Sequence, residues 1–425
     1  MNLDPIDGLL CDCLGRASDA DLIASLNLLS IEEWESLRQR AIKQRIPALL
    51  YRRLKTLQPV QPFPDSILGK MRQMAINEAI FCIQQHHGFG KLLGTFRDNG
   101  IPVIVLKGAY LREVIYQDIG VRNMTDIDLM VQKTDLAPTM EMLHQLGYPS
   151  RFVSNNILEI SNNEGFPLRK PGLPNVDIHW TIEQRGDLFK IDLTELWQRA
   201  RNTSVAGVNV KVLAPKDFLL HLCLHSAFRH RFVIGLRNLC DIREICLHFD
   251  HVLDWQELLV RARQWNASRC LFLNLYFVQE LLGVELPGKV MEQIEPGDFG
   301  PVIEQSILGR LFIENNRTKA MPVNLARAWS SHDINDKIAV FFRAAFPKPA
   351  LLARLFSINP SKPRIFFYYP LRWLVLIRRW GRFIWRLIFH DKIAVTTFEL
   401  NKKNVANDDW LANWLTTESG TVTKE

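Results

Sequence analysis

The run Thr125-Asp126-Ile127-Asp128-Leu129-Met130-Val131 sets Ile127, Leu129 and Val131 in alternation with Asp126, Asp128 and Met130. Period-two alternation marks a strand with one apolar face, so both carboxylates project from the other. Two carboxylates so placed can clamp one hard cation or two side by side. Mg²⁺ (or Mn²⁺) needs few protein ligands when substrate phosphates supply the rest. Asn175-Val176-Asp177-Ile178-His179-Trp180 repeats the pattern, with Asp177 and His179 on one face. Asp177 is the expected third carboxylate, and the role of His179 stays open. Cations held this way bridge an attacking hydroxyl and a nucleoside triphosphate during in-line displacement, so the expected chemistry is nucleotidyl transfer. Clustered carboxylates repel one another without a cation, so Asp128→Asn is expected to abolish transfer while leaving the metal-free fold as stable or more so.

The same chemistry needs a phosphate site. Ile101 to Leu106 is a short apolar, mostly β-branched run that reads as a buried strand, and Lys107-Gly108 breaks it. Leu111, Val114 and Ile115 then recur at helical spacing, so Gly108 falls where a strand hands over to a helix N-terminus. Backbone N–H groups there favour an anion, and glycine lets a phosphate approach. Lys107, Gly108 and Arg122 are the expected nucleotide-binding residues, with Arg122 either on the phosphates or bracing the aspartates. Asp135 to Leu146 reads as an amphipathic helix, and Tyr148 to Arg169 as hairpin strands turning at Asn162 to Gly165. Residues 100–181 thus form a small α/β sheet with the motifs at its exposed ends.

LKGAYL, YQDIGVRNMTDIDLMV and VDIHW together resemble the signature of an uncharacterised bacterial nucleotidyltransferase family of the DNA polymerase β-like superfamily. More distantly, they are similar to the nucleotidyltransferase toxins of abortive-infection systems. The flanking segments WESLRQRAIKQRIPALLYRRL, APKDFLLHLCLHSAFRHR and LRNLCDIREI resemble helices of the same family, so the likeness covers most of residues 30 to 290. It implies a metal-dependent enzyme. Two departures stand out: Ala109 follows Gly108 where the superfamily has serine or glycine, and Asp126 comes later than the usual dozen residues. No serine hydroxyl is then available for the phosphate.

The chain has 425 residues, a net charge of +7 and 23% charged residues, which implies a globular protein of two or three domains with acidic partners. Seven cysteines without a C-x-x-C pair argue against a disulfide framework or zinc module and for a reducing, cytoplasmic compartment. The first residues lack the basic and apolar regions of a secretory signal.

Ser30-x-x-Glu33 before Trp34 fits a capping box, Pro59, Pro62 and Pro64 mark a linker, and Ser66 to Arg97 reads as one long helix. His86-His87 are adjacent on that helix and point about 100° apart, which disfavours a metal pair. A short strand is expected at Val205 to Leu213, and a helix from Pro215 carries His221 and His225 at i and i+4, with His230 nearby. These histidines are expected to line or support the active-site cleft rather than bind zinc, because no Glu follows His221. Within Leu371 to Phe389, arginines at 372, 378, 379, 382 and 386 fall on one third of a helical wheel. That pattern permits a helix at an anionic membrane surface or on a partner, not a membrane span.

The expected architecture is α+β, with a small mixed-sheet nucleotidyltransferase-like core (98–214) flanked by an N-terminal helical region (1–97) and a C-terminal helical bundle (215–345). A basic amphipathic helix and tail (346–425) follow. The expected function is Mg-dependent transfer of a nucleoside monophosphate from a nucleoside triphosphate to an unknown acceptor. The alternative is a catalytically inactive binding or scaffold protein of the same fold, at the cytoplasm or the membrane periphery.

Overall fold

The computed structural model describes residues 3–148, 165–171, 174–183, 188–312, 363–388 and 406–417, together with 342, 346, 347, 349 and 352. Met1–Ser150, Asn163–Ile313 and Leu415–Glu425 form one compact unit; Arg151–Asn162 and Glu314–Trp414 form a second.

In the first unit, local sequence signals set the entry to the sheet. The helix Ile31–Lys43 starts in the expected capping box: Glu33 N–H donates to Ser30 Oγ at 3.3 Å, and Ser30 N–H donates to Glu33 Oε2 at 2.8 Å. Its Trp34, Leu37 and Ala41 are buried along one stripe. The long helix Asp65–Asp98 buries Phe89, Leu92, Leu93 and Phe96 towards its end. Gly100, at φ +66°, then turns the chain into the sheet.

Six strands follow: β1 (Ile104–Val105), β2 (Ile127–Met130), β3 (Gly165–Leu168), β4 (Val176–His179), β5 (Arg201–Val205) and β6 (Val208–Val212). They lie in the order β3-β4-β2-β1-β6-β5. β1 runs antiparallel to β2 and parallel to β6, while β2 and β4 are parallel. The sheet is therefore mixed and the fold α+β. Ile104, Val105, Leu129 and Ile178 are completely buried in it. The expected strand Ile101 to Leu106 has a ladder of only two residues, although Leu106 N–H still donates to Asp128 O at 3.0 Å.

The single strand expected at Val205 to Leu213 is instead the second arm of a hairpin. Ala206 and Gly207 sit at φ +51° and +74°, a two-residue left-handed loop that pairs Val205 with Val208. An alanine in that conformation is uncommon, so the turn carried little signal. The turn residues expected at Asn162 to Glu164 lie outside the described residues.

A helical bundle completes this unit: Pro215–Leu224, Leu236–His248, Trp255–Gln264 and Ser268–Leu282. The last is buried on most sides through Leu271, Phe272, Leu275, Phe277 and Leu281, and Gly283 ends it in the left-handed conformation. Asp217, with no exposed surface, accepts from Arg199 Nε and Arg261 Nη1, both at 2.9 Å. Its charge is thus matched by two cations, and the helix before β5 is fastened to the bundle. All seven cysteines are free and buried.

In the second unit, a 3₁₀ turn at Pro363–Phe367 leads into the 21-residue helix Tyr368–Ile388. Leu352 and Ile365 form a small apolar cluster with Tyr368 and Tyr369. Among the described residues, no helix is long and apolar enough to cross a membrane.

Candidate active site

Strand register builds the centre of the site. β2 and β4 run in parallel with Asp128 opposite Asp177 and Met130 opposite His179, so the two carboxylates stand side by side. His179, two residues beyond Asp177, shares their face. Its Nε2 lies 2.9 Å from Asp128 Oδ1 and 3.6 Å from Asp177 Oδ2. The first distance fits a proton on Nε2. Lys107 Nζ donates to the same Asp128 Oδ1 at 2.8 Å. One ligand atom from each of Asp128, Asp177 and His179 lies within 4.8 Å of the others, the group among the described residues placed to hold a metal ion.

The two carboxylates differ electrostatically. Burial alone pushes Asp128 up, but the Lys107 ammonium and then His179 outweigh it and hold the carboxyl well below the usual range. Asp177 is raised, first by burial and further by the charge of Asp128, with His179 pulling the other way. Its Oδ1 is buried and has no hydrogen-bond partner. A buried acceptor of this kind is costly until a proton or cation meets it, so the residues present fit a divalent cation. Two carboxylates suit Mg²⁺ or Mn²⁺, and an imidazole ligand favours the softer of these.

Asp126 precedes β2, is half-buried, and accepts from Thr125 Oγ1 at 3.0 Å. It stands just outside the group that the structure brings together. His179 supplies the third member, and the signal for it was its shared face with Asp177. The geometry argues against the expectation that neutralising Asp128 leaves the metal-free fold as stable or more so: besides the repulsion from Asp177, that carboxylate is matched by Lys107 and His179.

Lys107 adopts φ +49° and ψ −121°, a strained conformation for a residue with a side chain, and Gly108 opens a helix that runs as Gly108–Tyr110 and continues, more widely wound, as Leu111–Ile115. Backbone strain of this kind concentrates at ligand sites. Gly108 has a packing reason of its own: an added Cβ would lie 2.6 Å from Arg122 Nη1 and 2.7 Å from Met124 Sδ.

Arg122, expected either on the phosphates or bracing the aspartates, is engaged by Asp241. Its Nε and Nη2 donate to Asp241 Oδ1 and Oδ2 at 2.7 and 2.6 Å, and Tyr116 Oη adds a bond to Asp241 at 3.0 Å. This buried, bidentate pair ties the loop before β2 to the helix Leu236–His248. The long helix holds the same loop, because Gln85 Nε2 donates to Met124 O at 3.1 Å. Arg122 therefore braces the strand that carries Asp128. Asp241, its partner, lay unmarked within LRNLCDIREI, since nothing local links residues 119 positions apart.

His221, His225 and His230 cluster within the electrostatic reach of Lys107. The ring centroids of His221 and His225 are 6.3 Å apart, and Nε2 of His225 lies 3.1 Å from Nε2 of His230. Burial and then the Lys107 ammonium push His221 and His225 well below the usual histidine value and His230 down to about 4. The three rings are thus uncharged at neutral pH.

A strand-borne pair of aspartates, a lysine and a histidine in this arrangement can hold a cation against a polyphosphate. The family described as uncharacterised nucleotidyltransferase matches residues 30–283, more than half of the 425-residue chain. The chain belongs to that family. The match starts at the cap of the helix Ile31–Lys43 and ends at Gly283, spanning the whole sheet and the bundle around the site. No curated protein and no solved structure matches the chain significantly.

Proposed function

We propose that the chain is a metal-dependent nucleotidyltransferase, moving a nucleoside monophosphate from a nucleoside triphosphate to an acceptor hydroxyl. One observation carries this reading: within a nucleotidyltransferase family match, Asp128 and Asp177 sit in register on adjacent parallel strands, with His179 and Lys107 against them. The catalytic and metal-holding residues are Asp128 and Asp177, with Asp126 contributing from the mouth of β2. Bound Mg²⁺ or Mn²⁺ would supply charge stabilisation of the phosphate oxygens.

His179 orients the Asp128 carboxylate. Lys107, with Gly108 behind it, is the cation closest to the aspartates and the residue suited to a phosphate oxygen. Asp177 takes the proton of the acceptor hydroxyl, a role that its raised pKa and unpartnered oxygen support. The acceptor oxygen then bonds to the α-phosphorus, the bond to the bridging oxygen breaks, and pyrophosphate leaves. The order of strand, Lys-Gly turn and Asp-bearing strand supports a place in the DNA polymerase β-like superfamily and, with the resemblance, a bacterial source. A triphosphate donor and seven free, buried cysteines favour the cytoplasm.

A catalytically silent scaffold is the second reading, favoured by one feature: Asp128 is already satisfied by Lys107 and His179 without a metal. Incubation with each α-labelled nucleoside triphosphate and Mg²⁺ or Mn²⁺, with cell extract as acceptor source, separates the two. Labelled product with stoichiometric pyrophosphate, lost in Asp177→Asn, is expected. Tight nucleotide binding without pyrophosphate from any triphosphate would assign the scaffold.

A further inference from the structure

Between Asp336 and Asp391 the sequence has no acidic residue and eleven lysines and arginines. Since the whole chain carries +7, the rest of it is net acidic, at −4. The basic character that the composition assigned to the whole protein thus belongs to this one stretch. Within it lies the helix Tyr368–Ile388, whose arginine positions 372, 378, 379, 382 and 386 share one third of the circumference. Positions 373, 377, 380, 384 and 388, all Trp or Ile, fall on the opposite side.

Apolar side chains at the described end of this helix are open to solvent. Phe366 and Phe367 in the preceding turn are 65% and 75% exposed, and Leu374 and Ile377 are each 65% exposed. A water-soluble surface rarely leaves so many large apolar groups together. At 21 residues the helix is about 32 Å long, but five arginines exclude it from the hydrocarbon core. A helix with an arginine stripe, tryptophans and a broad apolar face fits the plane of the headgroup boundary. The absence of any carboxylate over the stretch selects an anionic surface, because neutral or cationic partners gain nothing from the arginines.

We propose that residues 363–388 dock the chain on anionic lipid bilayers, with the helix lying in the membrane plane and its arginines at the headgroups. The inference stands apart from the chemistry at Asp128 and Asp177. The test is flotation of the full chain with vesicles of phosphatidylcholine alone or with about one third phosphatidylglycerol, at low and high salt. Strong binding to the anionic vesicles alone, reversed by salt, is expected. Arg378→Ala with Arg379→Ala should weaken it roughly 25-fold, at about fivefold per arginine near a charged surface. Leu374→Gln with Ile377→Gln, at exposed positions where folding is little affected, should also release the chain while leaving pyrophosphate release in solution intact. Equal binding to neutral vesicles, or binding to neither, overturns the proposal; in the second case a soluble protein covers this face.

Discussion

Asp128→Asn and Asp177→Asn should shift stability in opposite directions although the two carboxylates stand side by side. Asp128 and Lys107 are 13% and 12% exposed in their side chains and share a 2.8 Å bond. Removing one partner of a fully buried pair costs about 3–5 kcal/mol. The asparagine oxygen still accepts from Lys107 and His179, so the expected loss is about 2 kcal/mol, or roughly 4–8 °C in Tm for a domain of this size. Asp177 has a buried Oδ1 without a donor, and neutralising it should gain about 1 kcal/mol, roughly 2–4 °C.

The pH dependence separates the two effects. Asp128 has a depressed folded pKa, so its contribution is present above the ordinary value of 3.8 and is lost as pH falls through the folded pKa. Asp177 has a raised folded pKa, so its cost is absent below 3.8 and grows as pH rises through the folded pKa. Thermal melting of the metal-free protein between pH 3 and 7 (about the span of ordinary carboxylate titration) follows the growth of the Asp177 cost and the onset of the Asp128 loss, which is completed only at lower pH. If Asp128→Asn melts above the parent at neutral pH, carboxylate repulsion outweighs the Lys107 pair and the electrostatic account of this cluster fails.

Lys107→Ala should weaken triphosphate binding and reduce its salt dependence while tightening Mn²⁺, because the ammonium that competes for Asp128 is gone; titration calorimetry with each ligand reads both, and weaker Mn²⁺ binding would contradict it. Asp241→Asn should destabilise by about 3–5 kcal/mol in urea by stranding the buried Arg122. An unchanged midpoint would show that the brace is unimportant. Gly108→Ala should cost about 1–3 kcal/mol through overpacking against Arg122 and Met124, and transfer activity should fall with it.

Sequence alone determined the parts of this protein that are written in short-range pattern. Alternation around Asp128 and Asp177 fixed two strands and the faces of both aspartates, because a strand has a period of two whatever it pairs with. Ser30 and Glu33 fixed a helix start, since both capping bonds span three residues. The hairpin β5-β6 was half-hidden because its turn places an alanine, not an asparagine or aspartate, in the left-handed region.

Tertiary structure decided the partners. The parallel register of β2 and β4 put His179 beside Asp128 and left Asp126 at the edge, and a slip of one residue would have turned every one of these side chains to the other face. Arg122 found Asp241, and Lys107 found Asp128, across 119 and 21 residues of chain. Charge pairing is set by distance through space, and period and propensity carry no record of it.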